Sequence, residues 1–511
     1  MRRWHSLLEI IQFPLKMLFV AIILTGLGTL ITNQSLSVFW SVNDRNILLL
    51  ADLFKRTGSF IIVNFPFFVM IKFLATKSNS SVPIMIGITG YVLVLVITML
   101  FQPAGLPTSA SSAILGLSYS SSLFDRTRYP LQTGFFACAA VVLASRIAYS
   151  KSRTKSIYGF FSFVDRDTWG LILTLILCMI TGFALVWLWP IVLNLLNTIF
   201  EFIATDITNP MNLFVYGVMD RLLADLNLGA LMRTLFWYGE QGGTWINNLG
   251  VNYMGDVGIW TAQMNSLITP SGVGRLITPY YVLNLFAVPG MLIGFYTIFT
   301  DKMEKRRIRL FFLLAILVSL VTGTLLPLEL YLLILTPLLF VFHLVVTGAL
   351  FGIFQSMSVT LGFSYTGSTV TAMPGTLFDF MLYVRNSNMQ NTIQMIFLVG
   401  VILFVLYFAF TRFYFKYLAL DLFNTGASKR RVEGFILAVG GLENIKMMHS
   451  SPTRLTIQVV DSSLINFSQI QRLGASRVVE SRAGYSVNFG AGSTIIKNEI
   501  NKRIKEMKRS A

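Results

Sequence analysis

The residues best suited to chemistry in this chain lie between Gly440 and Leu455, in a segment that begins with two glycines. Ser451, Thr453 and Arg454 follow one another closely near its end. A guanidinium, together with the backbone amides of a glycine-rich loop, can hold a phosphate or a phosphorylated partner. Two interpretations stay open: the loop binds such an anion without accepting it covalently, or Ser451 only caps the first turn of the loop.

Covalent transfer of a phosphoryl group through this loop is not expected. A cysteine thiol suits that step because its pKa of about 8.5 falls further beside positive charge, which favours the nucleophilic thiolate. The hydroxyl of Ser451 offers neither property. The chain has two cysteines, Cys138 and Cys178, and both lie in strongly apolar runs without paired spacing. We therefore predict no substitute thiol and no disulfide framework, and neither a metal site nor a cofactor.

The composition is typical of a polytopic membrane protein. Of 511 residues, 54% are hydrophobic and 12% are charged, and the mean hydropathy is +0.68, which an ordinary soluble core would not tolerate. A bilayer crossing needs about 20 apolar residues. The region 211–240 is apolar but contains four charged residues, and we interpret it as a broken or amphipathic helix inside the protein. With that region the sequence predicts about ten spans, the others lying near residues 14–33, 58–76, 83–101, 130–148, 169–199, 280–299, 309–328, 332–354 and 392–415.

The net charge of +17 indicates membrane orientation rather than a nucleic-acid partner. Lysine and arginine collect at Arg2-Arg3 and at residues 146–155, 302–309 and 429–431. Cytoplasmic loops of membrane proteins carry such an excess. If the N-terminus lies inside, four spans return the chain to the cytoplasm at 146–155, so we expect the N-terminus and the C-terminal domain to be cytoplasmic. The first apolar segment has no small-residue cleavage site after it and is expected to remain as a span.

The composition also predicts three parts. Residues 1–420 are expected to form the membrane-embedded domain, 421–432 a polar and basic linker, and 433–511 a cytoplasmic domain. The Ser- and Thr-rich stretch 107–123 is interpreted as a loop outside the membrane.

The soluble domain is predicted to be an α+β sandwich. Residues that alternate at period two indicate strands near 453–460, 477–479 and 485–489, and the turn Arg482-Ala483-Gly484 suits a hairpin. Two helices are expected to flank these strands, at 434–441 and 495–507.

The loop at 440–455 resembles the phosphorylation loop of the enzyme IIB domain of bacterial sugar phosphotransferase systems, glucose and maltose branch. The family pattern runs roughly G-G-x-x-N-I, then five residues, then C-x-T-R-L, and Ser451 stands at the place of its cysteine. The membrane part is similar to enzyme IIC of the same branch over almost the whole of residues 10–415. Four segments carry that similarity in the family's order and spacing: Arg221 to Thr244, Asn284 to Gly290, Gly323 to Glu329 and Thr336 to Gly348.

The resemblance implies a homodimeric permease of the bacterial inner membrane, with glucose, maltose, N-acetylglucosamine and related sugars as family substrates. Two of the family's sugar ligands are missing, because Leu326 stands at the place of a glutamate and Gly229-Ala230 at the place of a histidine pair. The polar residues that remain in the matching motifs can still hydrogen-bond a sugar. They are predicted to bind the substrate and are Arg221, Asn227, Asn284, Thr324 and Glu329.

A structural role is the alternative for several of these side chains. Asp225 lies four residues after Arg221 and could neutralise it on the same helical face. Glu329 could be held by a neighbouring arginine or tyrosine, because an intramembrane carboxylate is costly without a partner. His343 lies among apolar residues and is interpreted as structural.

The sequence therefore predicts an enzyme IICB-like permease that translocates a sugar or a related small polar solute, with its own phosphotransfer step lost. The solute would cross by facilitated diffusion, or a separate B domain would supply the phosphate for its phosphorylation. The alternative is a non-transporting sensor or regulatory partner that binds a phosphotransferase IIA or IIB protein, or a regulator. An active phosphotransferase enzyme is a third hypothesis, which the missing thiol opposes.

Overall fold

The computed structural model describes residues 2–32, 44–76, 81–124, 126–152, 165–270, 272–299, 302–324, 326–365, 369, 372–415, 427–450, 454–473, 475, 478–481, 484–489, 493, 496–497, 499–501 and 504. Ser451 and Thr453 lie outside these described residues, as do the first half of the predicted linker and much of the predicted C-terminal helix. Contacts divide the chain into two compact units. The larger unit contains residues 10–280 and 344–393, and the smaller unit contains residues 1–9, 281–343 and 394–511.

Helices make up most of the larger unit. The helices that fall wholly or mainly within it, numbered in chain order, are α1 (Arg2–Ile31), α2 (Arg45–Val63), α3 (Phe65–Thr76), α4 (Val82–Leu100), α5 (Phe135–Ser152), α6 (Arg166–Ala204), α7 (Pro210–Asp225), α8 (Gly229–Tyr238), α9 (Asp256–Asn265), α10 (Thr278–Val282), α14 (Pro337–Ser356) and α15 (Leu377–Val384). A short antiparallel hairpin, β1 (Thr244–Ile246) with β2 (Asn252–Met254), connects α8 to α9.

Seven described helices are long and apolar enough to cross a bilayer, or eight if the bent pair α2 and α3 counts as one span. This number is lower than the ten or so predicted from hydropathy, because apolar stretches are not all continuous helices. The pair α2 and α3 bends by 57° at Asn64. The helix at Lys302–Thr322 has an apolar part, Ile308–Thr322, that is too short to qualify. The helix ends before Gly323, which has φ of 60°.

The region 211–240 is broken, as the sequence predicted, and Asn227 explains the break. Asn227 has φ of 60°, a left-handed conformation that asparagine adopts more readily than other non-glycine residues. The backbone N–H of Leu228 donates to the carbonyl of Leu223 at 2.7 Å, and that of Asn227 to Ala224 at 3.0 Å. These bonds satisfy carbonyls at the end of α7, so α8 starts afresh in another direction.

Glycines allow α7 and α14 to approach closely. A Cβ built on Gly348 would lie 2.8 Å from the carbonyl oxygen of Phe214, and one built on Gly217 would lie 3.1 Å from the Cα of Gly348. Small residues at helix crossings permit this backbone contact in membrane proteins. Gly348 therefore lies where the backbones of α7 and α14 come close together.

Four described helices fall mainly in the smaller unit before its C-terminal domain. After α10, a π-helical turn at Leu283–Ala287 continues into α11 (Val288–Ile298). The remaining helices of this part are α12 (Lys302–Thr322), α13 (Leu326–Leu335) and α16 (Gln390–Phe413). A Cβ on Gly290 would lie 2.4 Å from the carbonyl oxygen of Phe404, so α11 and α16 also pack through a glycine.

The C-terminal part of the smaller unit is an α+β domain. Its four strands are β3 (Ile445–Ser450), β4 (Arg454–Val459), β5 (Val478–Ser481) and β6 (Gly484–Asn488), and they form one antiparallel sheet in the order β3-β4-β6-β5. Helices α17 (Ala427–Ala438) and α18 (Phe467–Arg472) accompany the sheet. The core includes Phe435 and Val439 on the α17 side and Leu455, Ile457 and Val487 from the sheet.

The observed elements of this domain differ from the predicted ones at strand β3 and at the linker, and agree at the hairpin. The hairpin near Gly484 is confirmed by the pairing of Ser481 with Gly484. Strand β3 was not predicted, because its sequence does not alternate between polar and apolar residues. Helix α17 begins at Ala427, so the second half of the predicted linker is helical.

Candidate solute-binding site

A cavity of about 200 Å³ lies within the larger unit. The polar side chains that line it carry hydroxyl or amide groups, and none of its described lining residues is charged. These polar residues are Tyr91, Thr108, Ser109, Ser111, Ser112, Gln132, Asn227, Thr234 and Thr369. Hydroxyls and amides both donate and accept hydrogen bonds, so such a lining suits a small ligand with several hydroxyl groups.

Asn227 is the predicted substrate residue that lines this cavity. Its Nδ2 donates to the carbonyl of Val63 at 2.9 Å, which fixes the side chain at the break between α7 and α8. The backbone carbonyl of Asn227 accepts from Nε2 of Gln132 at 3.3 Å. Ala230, at the place of a family histidine, lines the same cavity.

Arg221 lies in a buried ion network that the sequence analysis did not identify. Both Arg221 and Arg233 donate to the carboxylate of Asp220, with Arg233 Nε at 2.6 Å from Oδ1. The hydroxyl of Tyr280 donates to Oδ2 of Asp220 at 2.6 Å and accepts from Nη2 of Arg221 at 2.7 Å. Asp220 is 0% exposed and Arg221 4%, so these charges are compensated inside the protein.

This geometry gives Arg221 a structural role, and ligand binding by Arg221 remains a prediction. The named alternative was pairing with Asp225, whereas the carboxylate that accepts from Arg221 Nε at 3.0 Å is that of Asp220. The sequence signal was present, since charges of both signs within an apolar region indicate a buried ion network. Spacing alone did not show that Tyr280, far along the chain, completes it.

The other three predicted substrate residues belong to the smaller unit. Asn284 is fully buried in the π-helical turn, and its carbonyl accepts from Oγ of Ser319 on α12 at 2.8 Å. A π-turn inside a helix often marks a functional site. Thr324 is half-buried just after the end of α12. Whether these side chains contact substrate remains a prediction.

Glu329 and His343 form a buried pair. Oε1 of Glu329 lies 2.9 Å from Nε2 of His343, and Nδ1 of that histidine lies 2.8 Å from the hydroxyl of Tyr407. Both Glu329 and His343 are 1% exposed. The structural alternative therefore accounts for both residues, with histidine rather than arginine holding the glutamate and tyrosine holding the histidine.

In the C-terminal domain, backbone conformation and hydrogen bonds account for the glycines and the asparagine of the loop pattern. The two glycines at 440 and 441 have φ of 89° and 97°, which favours glycine. Asn444 fixes the turn: its Oδ1 accepts from the N–H of Asp461 at 2.7 Å and its Nδ2 donates to the carbonyl of Val439 at 2.6 Å. Ser450 pairs with Leu455, so residues 451–453 connect β3 to β4, and Arg454 begins β4 with an exposed side chain.

Apolar helices of membrane-spanning length, an uncharged polar cavity and a small α+β domain define the class as a polytopic membrane protein with a permease-like membrane part. The chain is 25% identical, over an alignment of 522 residues, to the PTS system glucoside-specific EIICBA component of Staphylococcus carnosus (strain TM300). That alignment covers 96% of this chain and 71% of the relative. No family profile matches the chain. The end-to-end similarity supports a place for the chain in the superfamily of phosphotransferase enzyme IIC and IICB proteins.

Proposed function

We propose that this protein is a sugar permease of the phosphotransferase type that releases its sugar unmodified. The observation that carries the proposal is the cavity of about 200 Å³ lined by hydroxyl and amide side chains. It lies in a unit built from helices long and apolar enough to cross a membrane. A sugar needs several neutral hydrogen-bond partners at once, and the cavity supplies them.

The family relationship supports a sugar as the substrate. The Staphylococcus carnosus relative is named as glucoside-specific, and the alignment with it spans nearly all of the present chain. Nothing in that comparison favours the sensor alternative. Partners of the phosphotransferase system and a homodimeric assembly are extensions of the same proposal, as is a cytoplasmic position for both termini, which rests on the distribution of lysine and arginine.

The absence of a suitable thiol supports release of unmodified sugar. Ser451 stands where the family pattern has cysteine, and the chain's two cysteines lie in the membrane helices α5 and α6. Both are buried, with 3% of Cys138 and 0% of Cys178 exposed. Without a thiolate in the C-terminal loop, this chain lacks the nucleophile that would hold a phosphoryl group between donor and sugar.

Uptake into vesicles tests the proposal. Purified protein in proteoliposomes is expected to equilibrate radiolabelled glucose in the absence of any phosphate donor. Ala230→Phe should reduce the rate at least tenfold, because the added ring occupies the cavity that Ala230 lines. Ser118→Phe is the matched control, since Ser118 is exposed and does not line the cavity.

Two results would contradict the proposal. One is the absence of glucose, maltose and N-acetylglucosamine uptake by protein that elutes as a folded species in detergent. The other is equal uptake by the Ala230→Phe and Ser118→Phe variants. The first result would favour the sensor alternative, and the second would place the transport route outside this cavity.

A further inference from the structure

We infer that the serine-rich segment from Thr108 to Ser112 selects the ligand of this cavity, and that it selects an uncharged monosaccharide. The inference rests on the proposed function and deepens it, because it names the class of sugar and the residues that recognise it. The segment lies outside the four motifs that carry the family resemblance.

The backbone of the segment is held firmly in place. Residues Thr108–Ala110 form a 3-10 turn in which the N–H of Ala110 donates to the carbonyl of Pro107 at 2.9 Å. The N–H of Ser112 donates to Pro130 at 3.1 Å, and that of Gln132 to Ala110 at 2.8 Å. Ala110 at the end of the turn and Ser112 just after it are therefore tied to the chain just before α5, which restrains the side chains of the segment.

The side chains of the segment have remaining hydrogen-bonding capacity. The hydroxyls of Ser109, Ser111 and Ser112 line the cavity, and within the part of the chain that the structure describes they donate no hydrogen bond to protein. Ser109 is only 8% exposed. A polar group buried to this extent gains when a ligand provides its partner, so three serines of one rigid segment present a ready set of donors and acceptors.

The other polar residues of the lining are partly occupied by internal bonds. Asn227 and Gln132 each donate to a backbone carbonyl. The hydroxyls of Thr234 and Thr369 lie 3.5 Å apart, which is too long for a strong hydrogen bond. A ligand hydroxyl between these two threonines would bond both, whereas the three serines would bind the other side of the ring.

Charge and size narrow the ligand class. The lining has no charged side chain among the described residues, and the nearby Arg233 is already paired with Asp220. An acidic or phosphorylated sugar would bury its charge without a counterion, which is strongly unfavourable. The volume of about 200 Å³ is below the roughly 300–1,000 Å³ of pockets for drug-sized ligands, which favours one sugar ring over two.

Substituted-cysteine protection tests this inference by binding rather than by transport. The variants Ser112→Cys and Ser109→Cys are made in the full chain, and Ser118→Cys, on an exposed part of the same loop, is the control. The native cysteines are 3% and 0% exposed, so background reaction with a small thiol reagent is low. We expect glucose to slow labelling of Ser112→Cys and Ser109→Cys at least threefold and to leave Ser118→Cys unchanged.

The same protection assay is repeated with three other compounds: glucose 6-phosphate, gluconate and maltose. We expect none of them to protect Ser112→Cys at the concentration at which glucose does. Protection by the phosphorylated or acidic sugar to the same degree would overturn the assignment of a neutral ligand. Equal protection by maltose would overturn the assignment of a single ring.

A second measurement applies if the cysteine variants do not fold. Binding of radiolabelled glucose to Ser111→Ala should weaken about five- to tenfold, as expected for loss of one hydrogen bond to the ligand, while Ser120→Ala should bind as the wild type does. Unchanged binding by Ser111→Ala, or glucose uptake without any protection of Ser112→Cys, would refute the inference even if the permease function holds. Protection without uptake would leave the inference standing and refute the transport function.

Discussion

At the scale of residues, the charged network around Asp220 and the neutral polar lining of the cavity are formed by different residues. Asp220 neutralises part of the charge of two arginines, and all its close partners are protein groups. The described lining of the cavity is neutral. Buried ion pairs contribute little net stability, but removal of one partner is costly because a buried charge loses its compensation. The network around Asp220 therefore holds α7, α8 and α10 together, and the hydroxyl and amide groups line the cavity.

The first prediction concerns Asp220. Asp220→Ala should destabilise the protein by about 3–5 kcal/mol, because Arg221 and Arg233 would stay buried without their carboxylate. Asp52→Ala is the control, since Asp52 pairs with Arg56 on the surface, where the side chains are 51% and 81% exposed, and should cost less than about 1 kcal/mol. Thermal unfolding in detergent measures both. A folded Asp220→Ala protein of unchanged stability that no longer binds glucose would place the network in the ligand site instead.

The second prediction concerns Asp256, which lies in α9, outside the candidate spans. Burial raises the pKa of its carboxyl to about 6, against the opposing effect of the N–H groups of Gly274 and Leu276 that donate to it. The folded state therefore binds a proton more tightly than the unfolded state. Its stabilising contribution, about 3 kcal/mol at most, is fully present below about pH 4 and is lost as the pH rises through 6.

Asp256→Asn removes this titration. The melting temperature of the wild type minus that of Asp256→Asn should fall between pH 4 and pH 6.5 and then level off. A difference that is constant over this range, or that rises with pH, would mean that the carboxyl is not protonated in the folded protein near pH 5.

Sequence reasoning singled out residues that the structure places in buried polar networks, whereas their binding roles stay predictions. Arg221, Glu329 and His343 stood out because ionisable groups are rare in apolar segments, and the structure gives each a protein partner. Spacing could not reveal Tyr407 as the partner of His343, since the two residues are distant in sequence. Asp220 directly precedes Arg221, but the sequence analysis named Asp225 as the partner instead. The serines at 109, 111 and 112 gave no distinct signal, because serine is also typical of exposed loops.

At the scale of elements, two irregularities interrupt the helices, and the one at Asn227 places that residue at the cavity. Asn227 ends α7 with a left-handed residue and lines the cavity at the same time. The π-turn at Leu283–Ala287 interrupts a helix at Asn284. The sequence predicted the first break from its charges. The second break follows from backbone geometry that hydrophobic periodicity does not report.

The third prediction tests helix packing at Gly348. Gly348→Ala should cost about 1–3 kcal/mol, because its Cβ would lie 2.8 Å from the carbonyl oxygen of Phe214 and α14 would have to move away from α7. Gly258→Ala is the matched control in helix α9, where the nearest atoms to a Cβ are 3.8 Å away. It should be neutral or stabilise by up to about 1 kcal/mol, since alanine is the better helix former. Equal melting temperatures for the two variants in detergent would refute close packing at Gly348.

At the scale of the whole molecule, the C-terminal part is a small α+β domain, and Ser451 stands in its loop where the family pattern has cysteine. The described part of its loop keeps the two glycines with positive φ and the Asn444 bonds that fix the turn. One antiparallel sheet of four described strands packs with helix α17 on a buried apolar core. The fold class followed from sequence because strand alternation and apolar spans are strong signals. The proposal that phosphotransfer is lost rests on one residue, Ser451.

The fourth prediction restores that chemistry. Ser451→Cys should accept a covalent phosphoryl group from a phosphorylated enzyme IIA of the glucose branch, whereas the wild type should not, because a thiolate forms near neutral pH and a serine alkoxide does not. Mass spectrometry of the intact protein reads out the added phosphate. The variant Ser450→Cys is the control for a thiol at the wrong position. If Ser451→Cys stays unmodified although the donor phosphorylates its own partner, the loop has lost more than its nucleophile.

The chemical form of the sugar inside sealed vesicles tests the central claim most directly. Proteoliposomes that contain the wild-type protein are incubated with radiolabelled glucose, with and without a complete phosphate-donating system, and the internal sugar is identified by chromatography. We expect free glucose at the outside concentration in both conditions, and no phosphate on Ser451. Accumulation of glucose phosphate only when the donor is present, together with a phosphate on Ser451 that turns over with sugar, would contradict the account.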